Sequence, residues 1–428
     1  MTTPLRLGIA GLGTVGVGVV KIVRQKANLL AQRSGRPVVI SAVSARSRDK
    51  DRSVNLDAYA WEDDPVALAQ RDDVDVFVEL MGGHEGAARL ATEAALAAGK
   101  DVVTANKALL AHHGQSLAET AEAKGCVIRF EAAVAGGIPV IKALTEGLAG
   151  NDITRVMGVM NGTCNYILTR MQDAGLPYDQ VFAEAEALGY LEADPNLDVG
   201  GIDAGHKLAL LASIAFGTRV DFAGVELEGI QRIAIEDIHQ AAELGYRIKL
   251  LGVAQMTGRG LEQRMSPCLV PEESPLGQLK GGTNMVVIEG DAVEQVVLRG
   301  PGAGEGPTAS AVMGDVMDIA RGLRISTFGI PARELAEAKV AQSNSPAPYY
   351  LHLTLEDRPG ALAKIATVLG ENGISIDRMR QTRHSDTNAP VLIVTHKTQR
   401  AALDTAVEAM RATGVMVNDP VALRIETV

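Results

Sequence analysis

Three glycines, Gly11, Gly13 and Gly16, follow directly on the apolar run "LRLGIA" and open a stretch of helical period. The spacing G-x-G-x-x-G between a buried strand and a helix permits a tight turn. It also lets backbone N–H groups and the positive end of the helix dipole approach a pyrophosphate. Alone the pattern is weak, because glycines also serve plain turns. Here the chain behind it alternates: "RPVVISAVSAR", "VDVFVEL", "KDVVTAN" and "CVIRFEAAV" read as strands. "TVGVGVVKIVRQKANLLAQ", "PVALAQR", "AARLATEAALAAG" and "QSLAETAEAKG" read as the helices between and after them. Such alternation implies right-handed crossovers and a parallel sheet covered on both faces. Residues 1–132 are therefore expected to form a Rossmann-type, doubly wound dinucleotide-binding domain, completed by a returning helix at about 306–325.

A chain of 428 residues is too long for one core. Residues 133–305 mix helices such as "KLALLASIAFG" with β-type runs such as "MVVIEG", and read as an α+β domain. Residues 326–348 read as a linker, since "SNSPAPYY" at 343–350 is rich in Ser, Asn and Pro. Residues 349–428 give the order βαββαβ of a ferredoxin-like sandwich. A net charge of −11 with no long basic run argues against nucleic acid as partner. No apolar run reaches the length of a membrane span, and the glycines at 8, 11, 13 and 16 argue against reading the first apolar run as a signal peptide. Cys126, Cys164 and Cys268 lack the paired spacing of a disulfide framework or zinc site, so a cytoplasmic location is expected.

The end of the second strand reads "VSARSR" where NAD binders carry an acid for the ribose. Arg46 and Arg48 stand where a 2′-phosphate would lie, which favours NADP over NAD; as solvated loop residues they would leave Asp49 or Asp51 to reach a ribose. Thr104, Asn106 and Lys107, in "TANKALL", stand at the carboxyl end of a later strand, where open α/β sheets bind ligands. Further on, Asp203 and Lys207 are four apart, hence on one helix face, which Leu211 and Ile214 continue as apolar. A lysine on a buried face must be paired or line a polar cavity. Glu192, Asp194 and Asp198 precede it and can converge on that cavity, which would suit a small substrate bearing an ammonium group and a carbonyl or hydroxyl. The alternative stays open that Asp203 caps the helix and Lys207 makes a surface ion pair.

These motifs carry a resemblance. "GLGTVG" at 11–16, "TANKALLA" at 104–111, "EAAVAGGIPVI" at 131–141, "NGTCNYIL" at 161–168, "GYLEADPNLDVGGIDAGHK" at 189–207 and "GPGAGEGPTASAV" at 300–312 resemble homoserine dehydrogenase of the monofunctional bacterial type. The similarity runs through nearly the whole chain. It implies NAD(P)-dependent interconversion of L-homoserine and L-aspartate 4-semialdehyde, in the route to threonine, methionine and isoleucine. It also implies Lys207 as proton donor, Lys107 as a second lysine near the carbonyl, and Glu192, Asp198, Asp203, Gly162 and Thr163 around the substrate. Cofactor contacts implied are Gly11, Leu12, Gly13, Thr14, Val15, Gly16, Arg46, Thr104, Asn106, Lys107, Gly189 and Gly304. A monovalent cation, Na⁺, is implied at Glu131 and the carbonyls of Val134, Gly136 and Ile138; oxygen donors suit a hard ion. The C-terminal module resembles an ACT domain, with a turn at Asp357 to Gly360 and another at Asn372 and Gly373. That resemblance implies threonine feedback, or a role in oligomerisation alone. The family's middle domain also serves dimerisation, and a homodimer or homotetramer is expected.

Two rivals differ in chemistry. Aspartate-semialdehyde dehydrogenase needs a cysteine thiolate, for which Cys164 is the tempting residue. A non-catalytic amino-acid sensor would not need the set Lys107, Glu192, Asp203 and Lys207.

Overall fold

The computed structural model describes residues 2–191, 194–381 and 388–427. Its first sheet takes strands β1 (Leu5–Ala10), β2 (Val38–Ser44), β3 (Ala60–Glu62), β4 (Val76–Glu79), β5 (Asp101–Thr104) and β6 (Ile128–Arg129) in the order β3-β2-β1-β4-β5-β6. Every pairing is parallel. Successive strand residues enter different cores, as the two-residue period requires. Phe77 packs with Leu68, Leu96 and Leu110 on one face, while Val76 and Val78 pack with Val19, Val312 and Val316 on the other. Val312 and Val316 belong to the helix Glu305–Ala320, which returns from the middle of the chain to pack against Thr14–Gln25, where Lys21 and Glu305 pair at 2.7 Å.

The expected long first helix is two. Thr14–Gln25 and Ala27–Ser34 meet at Lys26, whose ψ of 20 leaves the helical range. The break allows Leu30 to bury with Met313 and Met317 of the returning helix. In contrast, the helix expected from residue 115 begins earlier, at Lys107, because the Asn106 side chain caps it by accepting the N–H of Leu109 at 3.0 Å.

Among the described residues the second sheet has ten strands. β7 (Ile153–Val159), β8 (Glu226–Leu227), β9 (Tyr246–Thr257), β10 (Gly260–Pro271), β11 (Thr283–Gly290) and β12 (Glu294–Pro301) belong to the middle of the chain. β13 (Tyr349–Glu356), β14 (Ile376–Gln381), β15 (Asn388–Thr395) and β16 (Val421–Ile425) follow, with helices Ala361–Glu371 and Arg400–Ala412 completing βαββαβ. The order is β12-β11-β7-β9-β10-β16-β13-β15-β14, with β8 on β10. The two later modules are thus not side by side but continuous, through the parallel pairs Cys268–Arg424 and Leu269–Ile425.

The segment 326–348 is also less free than its composition implies. Phe328 is buried, Ala332–Glu334 forms a 3₁₀ turn, and Val340 bridges to Leu261. Glu122 accepts the N–H of Ala332, and Gln115 donates to its carbonyl at 2.9 Å, so the segment runs along the helix Lys107–Ala123. Backbone hydrogen bonding, which composition does not report, holds it.

Candidate active site

Two positions of the glycine turn admit no side chain. A Cβ on Gly11, whose φ is +103, would sit 2.4 Å from the Leu80 carbonyl oxygen, and one on Gly16 would sit 2.0 Å from that of Gly11. Gly13 has nothing within 4 Å of such an atom, so its backbone is open to a ligand. Gly11, Leu12, Gly13 and Arg46 line a cleft of about 500 Å³, together with Lys50 and Arg52. Arg52 donates to the carbonyls of Leu12 (3.2 Å), Ser47 (2.5 Å) and Lys50 (2.8 Å), fastening the loop after β2 to the glycine turn. Thr14 and Val15 start the helix behind the turn, and Val15 reaches the neighbouring cavity.

That second cavity, about 610 Å³, lies where the first sheet meets the middle domain. Lys107, Asp198, Asp203, Lys207, Gly162, Thr163, Gly189, Tyr190 and Gly304 all line it. Asp203 stands at its centre. One carboxylate oxygen is 2.7 Å from Lys107 Nζ and the other accepts from Lys207 Nζ at 2.6 Å. Lys207 also donates to the Met160 carbonyl at 2.9 Å. The cap of the helix Ile202–Phe216 is Gly201, not Asp203, and the Asp203 and Lys207 side chains are only 6% and 11% exposed. A solvated surface pair is therefore excluded. Burial pushes the Asp203 carboxyl up, but the ammonium groups of Lys207 and Lys107 together outweigh it and hold the carboxyl well below the usual carboxylate range.

Asn161 joins the acids together. Its Oδ1 caps the helix Gly162–Ala174 by accepting the Cys164 N–H at 2.8 Å, while its Nδ2 donates to Asp198 at 2.9 Å and lies 3.5 Å from Asp203. Thr163 donates to the Tyr190 carbonyl at 2.9 Å, closing the wall that Gly189 begins. Asp194 caps the short helix Pro195–Val199, which carries Asp198. Glu192 lies outside the described residues. Thr104 and Asn106 stand back from the cavity: Thr104 donates to buried Glu79 at 2.7 Å, and Asn106 donates to the Gly83 carbonyl at 2.6 Å. They shape the loop after β4, with their side chains committed there.

Family models described as "Homoserine dehydrogenase, NAD binding domain", "Homoserine dehydrogenase" and "ACT domain" match residues 11–131, 139–317 and 349–415. A homoserine dehydrogenase of Neisseria gonorrhoeae is 42% identical over 99% of both chains, and one of Bacillus subtilis is 39% identical over 93% of this chain and 92% of its own. The chain belongs to the homoserine dehydrogenase family. Among solved structures, a homoserine dehydrogenase from Thiobacillus denitrificans superposes with a TM-score of 0.94 at 39% identity, covering 99% of each chain. A hyperthermophilic archaeal homoserine dehydrogenase mutant in complex with NADPH matches 74% of this chain and 97% of its own, with a TM-score of 0.63 at 28% identity.

As a member of the homoserine dehydrogenase family the chain is an oxidoreductase, and the rival thiol chemistry finds no support. Cys164 is fully buried and donates to the Asp198 carbonyl, and burial raises its thiol well above the ordinary range, away from the thiolate a nucleophile needs. Asn161 and Asn284 were not singled out from the sequence. Asn161 had a signal, since an Asn before "GTCNYIL" is a helix cap. Asn284 had none: it lies on β11, lines the cavity, and its buried Oδ1 carries no hydrogen bond.

Glu131, Val134, Gly136 and Ile138 fall in one buried loop. Both carboxylate oxygens of Glu131 accept backbone N–H groups, from Ile141 and Lys142, at 2.9 Å each. Burial, with the charge of Asp315 added, pushes this carboxyl up to about 7. Carboxylate and backbone carbonyl oxygens, both present in this loop, are the donors that suit a hard cation. Among the described residues no group of three or more His, Cys, Asp or Glu is arranged to hold a metal.

Proposed function

We propose that this chain interconverts L-homoserine and L-aspartate 4-semialdehyde, with Lys207 exchanging the proton at the substrate oxygen. The observation that carries this reading is the pair of lysines held by one buried carboxylate, Asp203, in the cavity that adjoins the glycine turn. The nicotinamide dinucleotide, when bound, accepts or supplies the hydride. Two of the three Lys207 donors are taken by Asp203 and Met160, which aims the third at the cavity. In the reducing direction the Lys207 ammonium gives a proton to the carbonyl oxygen and is left as the neutral amine; in the oxidising direction that neutral amine takes the hydroxyl proton. Lys107 places a second positive charge beside the same oxygen. Asp203 acts on the substrate through these lysines, leaving Asp198 and Glu192 for the substrate ammonium. Asn284 Oδ1 offers an acceptor for an amide or ammonium N–H.

NADP is the preferred coenzyme in this reading, because Arg46 and Lys50 line the cleft beside the glycine turn. One charge-assisted contact is worth about 1.5–3 kcal/mol. Arg46→Ala should therefore raise KM for NADP⁺ at least about tenfold and barely change that for NAD⁺. Initial rates of homoserine-dependent absorbance at 340 nm, with each coenzyme, measure both the activity and this ratio. No homoserine-dependent reduction of either coenzyme would remove the enzymatic reading.

A monovalent cation, Na⁺, belongs to the loop of Glu131, Val134, Gly136 and Ile138 in the same proposal. Melting in sodium chloride should then exceed melting in tetramethylammonium chloride at equal ionic strength, because an ion that binds only the fold stabilises it. Equal values would show that the loop holds no ion. L-Threonine is the regulatory ligand proposed for the ACT module, and a homodimer or homotetramer in the cytoplasm completes the reading. No helix of the described residues is long and apolar enough to cross a membrane.

A further inference from the structure

Besides Lys207, the middle domain buries another ammonium group, one that the reaction does not use. Lys249, on β9, is 4% exposed. Among the described residues no carboxylate pairs with it: it donates to Asn165 Oδ1 at 2.9 Å and to the Leu279 carbonyl at 2.5 Å. The acid that acts on it from a distance, Asp173, is half exposed and lies 3.6 Å from Lys280 instead. Burial, with the charge of Arg247 added, brings the amine down to about 8. A buried charge answered only by neutral acceptors costs stability. Its presence is explained by what it holds.

Asn165 lies on the helix Gly162–Ala174 and is fully buried. With its Oδ1 taken by Lys249, its Nδ2 donates to the Gly281 carbonyl at 2.7 Å and lies 3.4 Å from that of Thr283. The two side chains thus grip the segment 279–283 at its carbonyls, those of Leu279, Gly281 and Thr283. Gly282 and Asn284, between and after the gripped residues, line the cavity of Asp203 and Lys207. Gly282 also abuts the start of the Asn165 helix: a Cβ on Gly162 would lie 2.7 Å from its carbonyl oxygen. The Tyr190 ring, stacked on Tyr166 at 4.5 Å, lies beside Gly282, 3.7 Å from where a Cβ would stand.

We propose that Lys249 and Asn165 are positioning residues for the substrate: they fix the wall formed by Gly282 and Asn284 against Gly162, and with it the width of the pocket that receives homoserine. The inference rests on the activity proposed above. Neither side chain lines the cavity, so neither touches the reacting atoms. Asp203 and Lys207 stand on a different helix, Ile202–Phe216, so the wall governs how homoserine is held rather than how its proton moves.

Lys249→Met keeps the length of the stem and removes the donors. Because small misplacements in a site are costly, it should raise KM for homoserine at least about tenfold, leave KM for the coenzyme unchanged and lower kcat by less than about threefold. Asn165→Asp, of nearly the same volume, keeps an acceptor for Lys249 but gives up the donor to Gly281, and should show the same split. The double variant should be no worse than the poorer single one, since both act on one wall. Order in the wall has a readout of its own. Lys280, with its side chain 70% exposed, follows Leu279 directly. Trypsin should cut after it at least about tenfold faster in Lys249→Met than in the parent, the fragment beginning at Gly281 being followed by mass spectrometry. The proposal is overturned if KM for homoserine stays at the parent value in both variants, if KM for the coenzyme rises with it, or if cleavage after Lys280 is not accelerated. Failure of both variants to fold would make the pair a core element and overturn it too. A parent chain that oxidises no homoserine would strike the proposed activity, whereas faster cleavage in Lys249→Met would still support the anchored wall.

Discussion

Lys207→Met is expected to lower the turnover number for homoserine oxidation by about 10²–10⁴-fold, the usual worth of a positioned acid–base group. Met keeps the length and the apolar stem, so the helix Ile202–Phe216 retains its packing. Asp203 retains Lys107 as a partner at 2.7 Å, which limits the structural damage. The loss should therefore fall on kcat, with KM for the dinucleotide little changed, because Lys207 lines the second cavity rather than the cleft of the glycine turn. Lys107→Met should cost less, since its side chain is 29% exposed and water can take part of its place. Steady-state kinetics of the two single variants and the double variant measure the division of labour. Equal losses for Lys107→Met and Lys207→Met, or a larger loss for Lys107→Met, would move the proton to Lys107.

Asp203→Asn is expected to damage stability as well as rate. It leaves two ammonium groups around a buried amide, and breaking a buried pair by removing one partner costs about 3–5 kcal/mol. The melting temperature should fall by several degrees, and kcat by at least as much as in Lys207→Met, since both lysines lose their anchor. Asp198→Asn serves as comparison, since it keeps both lysine contacts of Asp203 in place. A melting temperature for Asp203→Asn equal to that of Asp198→Asn would deny the carboxylate its central place. The pH dependence has a definite sign. A carboxyl held below its ordinary range stabilises the fold at every pH above that range, and the contribution is lost as pH falls through the depressed value. The gap in melting temperature between parent and Asp203→Asn should stay constant from pH 8 to 5, and narrow only below about 4.

Much of this site was legible in residue spacing. G-x-G-x-x-G behind an apolar run, with alternating strands and helices after it, has one economical arrangement. The i, i+4 separation of Asp203 and Lys207 placed them on one face because helical geometry leaves no other choice. The second lysine was harder to read: Lys107 comes from another domain, a hundred residues away, and only tertiary packing brings it to the same carboxylate. Charge pattern alone makes Asp203 acidic company for Lys207, the resemblance makes it a substrate anchor, and in three dimensions it bridges two lysines. Asp194 had no evident role until the short helix it caps was visible. Residues 326–348 carry the composition of a free linker, yet the backbone N–H of Ala332 is satisfied by Glu122, 210 residues earlier. Long-range hydrogen bonds of this kind have no periodicity by which to be found.

The parallel pairing of β10 with β16 concerns the chain as it is being made. The edge of β10 at Cys268 and Leu269 meets its neighbour only when Arg424 and Ile425 have been synthesised, roughly 150 residues later. At ordinary rates of elongation that is about 8–30 s with an unpaired strand edge in the catalytic sheet. Glu426, just beyond β16, then draws in Arg155, Arg264 and Arg424, so the closing strand is locked from both modules at once. A chain cut before β16 would meet its first difficulty in solubility, ahead of any change in regulation.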